Sequence, residues 1–290
     1  MVISEIERQI RQDLNSDARL EAEQIIMSAL TMTREELILN AKKEITDSEY
    51  AKILKMTSRR KKGEPLQYIL GSTEFMSLEF FVGEGVLIPR QDTETFTETV
   101  LDMLKYEKAY KVLDICTGSG CIGISIAYYR ENVQADLIDI SDTALETARK
   151  NAAHNDMQER VNIYKCDILK EYPDKKYDII VSNPPYIESD VIQTLQTEVR
   201  DYEPHLALDG GTDGLMFYRR IIGIAPKILN KNGIVAFEIG YNQGKAVSSM
   251  MTEFSNVQII KDLCGNDRVV IGIWEGDNVN GQSSESGGTV

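Results

Sequence analysis

Apolar residues recur at helical spacing from residue 2 to residue 62: Ile3, Ile6, Ile10 and Leu14, then Ala18, Ala22, Ile25, Ile26 and Leu30. Thr33 with Glu36 and Thr46 with Glu49 have the spacing of capping boxes, in which two side chains reciprocally satisfy free backbone amides, and they predict later helix starts. The helix from Asp47 is expected to carry Tyr50, Ile53, Leu54 and Thr57 on one face. It should stop at Gly63, with Pro65 close behind. These features describe a small helical bundle over residues 1–72, which reads equally well as a packing module or as a recognition module for a macromolecular partner.

The texture then changes. The stretch from Glu74 to Val82 and the run Val86-Leu87-Ile88 flank Gly83-Glu84-Gly85, which predicts a β-hairpin within a linker over residues 73–90. Ile88-Pro89-Arg90-Gln91-Asp92-Thr93-Glu94 reads as a helix entry, with Asp92 or Thr93 as cap and Phe96, Val100, Leu101 and Leu104 following. After Lys111 the order strand, turn, helix repeats. Val112 to Cys116 is a strand, Thr117 to Gly120 a turn, and Cys121 to Arg130 an apolar helix. Ala135 to Asp139 is a second strand, and Ser141 caps a helix carrying Ala144, Leu145, Ala148 and Ala152. Val161–Lys165, Asp178–Val181 and Gly233–Ile239 supply further strands. Such alternation argues for a parallel sheet with helices on both faces. Val257–Ile260 and Val269–Trp274 are joined too briefly for a crossover, which puts an antiparallel strand into the sheet. The fold class is therefore α/β. Its sheet domain spans residues 91–275, and residues 276–290, rich in Gly and Ser, are expected to be a disordered tail.

Composition narrows the function. The net charge of -14, from 46 acidic and 32 basic residues, is spread along the chain and argues against bare nucleic acid as a partner. The basic run Arg59-Arg60-Lys61-Lys62 fits a helix C-terminus, where cations complement the dipole. Cys116, Cys121, Cys166 and Cys264 form no CxxC pair and, with His154 and His205, no zinc spacing, so free thiols and no metal are expected. No apolar run is long enough to cross a bilayer, and Met1-Val2-Ile3-Ser4-Glu5 lacks the basic region and apolar block of a signal peptide. The expectation is a soluble, cytoplasmic, monomeric protein.

Candidate chemistry lies where open α/β sheets bind ligands, at the carboxyl ends of the strands. Gly118 and Gly120 allow a ligand to approach the backbone closely. Asp139 can accept from both hydroxyls of a ribose or start a helix, and Asp167 can accept from an exocyclic amine. After the apolar run Tyr177–Val181, Asn183-Pro184-Pro185-Tyr186 makes a stiff loop, because proline fixes φ and cannot donate to a ladder. The Asn183 side-chain carbonyl and the Pro184 backbone carbonyl then offer two acceptors for a planar NH2 group.

In these stretches the chain resembles the class I methyltransferases that use S-adenosyl-L-methionine, with a Rossmann-like, mostly parallel seven-stranded sheet. Within them it is similar to the protein-(glutamine-N5) methyltransferases that act on peptide chain release factors. The resemblance runs from about residue 1 to about residue 275. It is carried by Pro65–Gly71, Leu87–Glu94, Asp114–Gly120, Val181–Ile187, Ala207–Leu215 and Asp262–Val270. An Asn-Pro-Pro-Tyr loop alone also fits enzymes that methylate nucleobase amines, and the Ile-Pro-Arg and Asp-Gly-Gly stretches narrow the match.

The resemblance implies that Cys116, Thr117, Gly118, Ser119 and Gly120 line the methionine part of the cofactor, Asp139 its ribose, and Asp167 with Ile168 its adenine. It implies that Asn183, Pro184, Pro185 and Tyr186, with Arg90, hold the glutamine substrate, with Asn183, Pro184 and Tyr186 as the catalytic set and Asn183 also touching the cofactor. Two positions depart from the pattern. Cys116 stands where the family usually has glycine, at a cost if the backbone there needs positive φ, and Ile168 stands where relatives can carry an aromatic residue. Phe75, Phe80, Phe81 and Arg90 are candidate walls of the substrate slot, with core packing and an acidic partner as the competing roles. Glutamine methylation of a ribosomal protein, methylation of a nucleic-acid amine, and a non-catalytic protein that keeps the pocket are the alternative functions.

Overall fold

The computed structural model describes residues 1–14 and 18–276; the expected disordered tail, apart from Gly276, lies outside the described residues. Helices α1 (Ile3–Leu14), α2 (Arg19–Leu30), α3 (Arg34–Leu39), α4 (Asp47–Lys61) and α5 (Leu66–Leu70) come first. Ile3, Ile6, Ile10, Ile25, Ile26, Ile53 and Ile69 meet in one apolar core, as the helical spacing requires. Both capping boxes form, Thr33 with Glu36 and Thr46 with Glu49. Leu54 departs from the expected inner face: it is exposed and Met56 takes the buried place beside Ile53 and Thr57. The basic run ends α4 in ion pairs, Arg59 with Glu64, Arg60 with Glu21 and Glu198, and Lys61 with Asp13.

Strands β1 (Ser72–Phe75) and β2 (Leu78–Phe81) pair antiparallel. The hairpin therefore turns at Met76-Ser77 and not at Gly83-Glu84-Gly85, and Val86–Ile88 is not a strand. Met76 and Ser77 have φ of 51° and 56°, the left-handed pair that a two-residue hairpin turn demands. The usual Asn-Gly signal is absent. Instead the Met76 amide donates to Glu94 at 2.6 Å and its carbonyl accepts from the Tyr129 hydroxyl at 2.5 Å. Phe75 and Phe80 are core residues, and Phe81 lies against His154 at 4.7 Å between ring centroids.

The rest of the chain alternates helix and strand: α6 (Gln91–Met103), β3 (Tyr110–Ile115), α7 (Cys121–Tyr129), β4 (Val133–Asp139), α8 (Asp142–His154), β5 (Val161–Lys165) and β6 (Tyr177–Ser182). Then follow α9 (Thr197–Tyr202), α10 (Met216–Ile228), β7 (Leu229–Glu238), α11 (Gly244–Met250), β8 (Ser255–Lys261) and β9 (Asp267–Trp274). Helix α6 starts from Arg90 without a side-chain cap. Asp92 and Thr93 are inside its first turn, Asp92 paired with Arg268 at 2.9 Å and Thr93 buried.

The seven-stranded sheet has the order β5-β4-β3-β6-β7-β9-β8, parallel except that β9 runs antiparallel to both neighbours. Strand alternation sorts the core into two layers. Val112, Leu137, Ile179 and Val181 face α6 and α7, whereas Leu113, Ile138, Ile180 and Phe237 face α10 and α11. The strand order reverses between β3 and β6, so the crevice beyond their carboxyl ends is where an open sheet leaves room for a ligand.

Candidate active site

Ile115 and Ser182 are register partners at the ends of β3 and β6, and the Ser182 hydroxyl donates to the Ile115 carbonyl at 2.7 Å. This fastens the turn after β3 beside the loop after β6. A cavity of about 1060 Å³, open mouth included, lies over both. Its wall includes Cys116, Thr117, Gly118, Ser119, Asp139, Asp167, Ile168, Asn183, Pro185 and Arg90, so most of the residues singled out from the sequence converge there.

On the β3 side, Cys116 has φ of 60°, the left-handed conformation in which an L side chain is strained. Thr117 donates its hydroxyl to Asp114 at 2.6 Å, and the Gly118 amide donates to Asp139 at 2.9 Å. A Cβ built on Gly118 meets nothing within 4 Å, so this backbone edge is open to a ligand. Gly120 sits apart from the wall. It starts α7 at φ 81°, and a Cβ there would press to 2.7 Å from Ile124.

Asp139 accepts one backbone amide on each oxygen, from Gly118 and from Ser141 at 2.9 Å. Each oxygen retains a lone pair for a further donor, the requirement for holding adjacent hydroxyls. Burial raises the Asp139 carboxyl, and those amides pull it back. Asp167, beyond β5, pairs with Lys170 at 2.7 Å, which lowers it. Ile168 is buried, and its carbonyl accepts from Arg220 at 2.7 Å.

On the β6 side, the Asn183 amide donates to the Thr93 hydroxyl at 3.4 Å. Pro184 is buried, and Pro184 and Tyr186 are not on the cavity wall; Tyr186 packs against the α10 side of the core, where burial raises its hydroxyl. The loop is braced by a segment far along the chain. Ile187 pairs with Asp209, Gln243 donates to the Tyr186 carbonyl at 2.9 Å and to the Gly214 carbonyl at 3.3 Å, and a Cβ on Gly214 would lie 2.4 Å from the Tyr186 oxygen. The Asp-Gly-Gly stretch thus has glycine where the Asn-Pro-Pro-Tyr loop lies on it. Arg90 donates through Nη2 to Glu203, both carboxylate oxygens at 2.6 Å, and Glu203 is buried.

Sequence reasoning missed Thr93 as a wall residue, Gln243 as the brace and Glu238 at the end of β7. Glu238 is 1% exposed and closes the apolar run Ile234–Phe237, a signal that was there to be read. Two carboxyls beside the crevice are pushed up to about 7, chiefly by burial: Asp114 on β3 and Glu238 on β7. Among the described residues no group of acidic, histidine or cysteine side chains could hold a metal, and no helix is long and apolar enough to cross a membrane.

A family profile described as the methyltransferase small domain matches residues 90–212, and one described as the PrmC N-terminal domain matches residues 2–71. A protein of Clostridium botulinum named release factor glutamine methyltransferase is 43% identical over 87% of this chain and 90% of its own length. Proteins with the same name from Clostridium acetobutylicum and Geobacter sulfurreducens are 40% and 42% identical, over 92% and 88% of this chain and 95% and 89% of theirs. Among solved structures, a methyltransferase from Pyrococcus furiosus has the same fold, with a TM-score of 0.51 and 17% identity over 80% of this chain and 100% of that one.

Two outcomes follow from this geometry. Asp114 has a folded pKa near 7 against an ordinary 3.8, so the folded state binds the extra proton between these values and stability falls as pH rises from about 4 to 7. Urea unfolding of Asp114→Asn should show a shallower loss over that range than the parent. Cys116→Gly should stabilise the fold by roughly 0.5–1 kcal/mol, the left-handed penalty less the entropy cost of glycine, as read by the same unfolding midpoint.

Proposed function

The chain belongs to the release factor glutamine methyltransferases, and from that premise we propose that it methylates the side-chain amide nitrogen of the glutamine in the Gly-Gly-Gln segment of peptide chain release factors. The observation that carries this reading is the position of Asn183: it lines the same cavity as Gly118 and Asp139, across the switch point from them. S-adenosyl-L-methionine, when bound, supplies a sulfonium methyl group. The residues present fit it: Gly118 leaves its backbone edge open, Asp139 keeps spare acceptor capacity for ribose hydroxyls, and Ile168 gives an apolar wall beside Asp167.

A glutamine side-chain nitrogen is a poor nucleophile because its lone pair is delocalised into the carbonyl. The contribution of this chain is therefore to hold and orient it. Asn183 Oδ1 and the Pro184 carbonyl accept its two hydrogens, and the loop's prolines keep those acceptors from moving. Pro185 shapes the floor, while Tyr186 anchors the end of the loop in the core. The nitrogen would gain the methyl group as the bond from that methyl to sulfur breaks, leaving a neutral thioether, and would lose one proton to solvent, so the product is a neutral secondary amide. Positioning in a fixed electrostatic frame supplies the rate.

Residues 1–72 serve as the substrate-recognition domain, residues 73–90 as the hairpin linker and residues 91–275 as the catalytic domain. Arg60 at the end of α4 pairs with both Glu21 and Glu198, and the Tyr202 hydroxyl donates to the Lys62 carbonyl at 3.0 Å, so the helical elements bear directly on α9. Arg90, held by Glu203 on the cavity wall, borders the incoming substrate. The acidic balance favours a protein substrate over nucleic acid, and a monomer suffices because the site is built from one chain.

With purified release factor and labelled cofactor, Asn183→Ala should lose methyl transfer by roughly 100-fold or more while cofactor affinity holds. Asp139→Ala should instead weaken cofactor binding by about 10-fold in calorimetry. Label on a ribosomal protein or on RNA in place of release factor would reassign the substrate.

A further inference from the structure

Glu238 closes β7 beside the amide loop, is 1% exposed, and has its Oε2 atom buried without a hydrogen-bond partner. No step described above uses it. Burying a carboxyl with an unmatched oxygen is costly, so its retention calls for a donor or a role. Asn183 has the complementary need. Its amide carries two hydrogens, and the Thr93 hydroxyl at 3.4 Å takes only one of them. Thr93, itself buried in the first turn of α6, faces the end of β7, so its hydroxyl, the amide and the carboxyl form one cluster at the cavity wall.

We propose that Glu238 is a positioning residue: its carboxylate and the Thr93 hydroxyl together take up both amide hydrogens of Asn183 and thereby fix Asn183 Oδ1 toward the substrate amide. This rests on the reading of Asn183 as the acceptor for the glutamine nitrogen. The orientation matters because the two ends of an asparagine amide have nearly the same shape and opposite hydrogen-bonding character. If the amide is turned over, a donor faces the donor of the substrate and the slot rejects it. A protonated Glu238 offers a hydrogen where the ionised one offers a lone pair, and a hydrogen there draws Asn183 Oδ1 inward. The ionised carboxylate is thus the working form.

The surroundings set where that proton leaves. Burial pushes Glu238 up to about 7, and Asp92 on α6 adds to the rise, while the Thr93 hydroxyl, Arg268 on β9 and the Asn183 amide oppose it. Tyr186 on the loop, Tyr218 on α10 and Cys121 on α7 also face this carboxylate. Burial holds all of them above their ordinary values and so uncharged across the range. Arg268 stays charged, raised by Asp262 and Asp92 against its own desolvation. Glu238 is then the group whose charge changes near neutrality within the cluster.

The test uses the full chain, release factor and labelled cofactor, with kcat and KM measured from about pH 6 to 8 for the parent, Glu238→Gln and Glu238→Ala. The parent should show one ionisation near neutrality in kcat. Glu238→Gln, which like the protonated acid offers one acceptor and a hydrogen, should stay at the low acid-limb kcat of the parent with a flat profile, while Glu238→Ala should lose kcat by roughly 10–100-fold with cofactor affinity kept. A readout independent of turnover is the pair of Asn183 side-chain amide resonances, assigned by their loss in Asn183→Ala. They should move with pH in the parent and stay fixed in Glu238→Gln.

The proposal fails if Glu238→Ala stays within about twofold of the parent, or if Glu238→Gln keeps the ionisation of the parent. It fails equally if Glu238→Gln keeps the full kcat that the parent reaches above neutrality, since an amide at this position has the hydrogen-bonding character of the protonated acid. If Glu238→Ala does not fold, the Gln profile and the amide resonances decide. An inactive parent enzyme would instead refute the assigned substrate, and the amide resonances would still report on Glu238.

Discussion

The parallel pairing of β3 with β6 at the centre of the sheet is the constraint on which the site depends. It aligns Ile115 with Ser182, and the hydroxyl bond between them leaves neither strand free to slip. A slip of one residue would turn every inward side chain to the other face. The turn that ends β3 and the loop that ends β6 consequently emerge side by side, one open along Gly118 and the other presenting Asn183. The two walls of the cavity are matched by sheet register before any side chain makes a specific contact.

Much of this could be read along the chain. Strand and helix periods located every strand of the large sheet, because β3, β4 and β6 are mostly buried and carry short, largely β-branched apolar stretches, while the helices carry stripes. The capping boxes and the Ser141 cap were legible for the same local reason: a hydroxyl three residues before its partner has few other uses in that pattern. A hairpin was expected and is present, but where it turns was not legible. Its left-handed turn is made by Met76 and Ser77, residues with no preference for that conformation, and its stability comes from Glu94 and Tyr129, which lie well along the chain. The glycines at 83 and 85 drew the prediction to the wrong place because glycine permits a turn without requiring one.

The site divides in the same way. Residues that touch the cavity sit at strand ends and could be named from the sequence: Gly118, Asp139, Asp167 and Asn183. Residues that hold those residues could not, since they act across the fold. Thr93 reaches Asn183 from α6, Gln243 reaches Tyr186 from beyond β7, and Glu203 neutralises Arg90 from the segment after α9. Cys116 was suspect on sequence grounds, and its φ of 60° makes the suspicion concrete: the strand end keeps the shape that glycine would give it and bears the strain of a side chain instead.

The close approach of Gly214 to the Tyr186 carbonyl, with Gln243 bonded to both, limits how the loop can be moved. Asn-Pro-Pro-Tyr is not a self-contained cassette. Its curvature is moulded from outside by a glycine turn and a glutamine on two other connections, much as a casting takes its form from the die. Transplanting the four residues to another sheet would carry over the acceptors but not the shape that aims them. The smallest transferable unit is the loop together with residues 210–214 and Gln243, three pieces of chain that are neighbours only after folding.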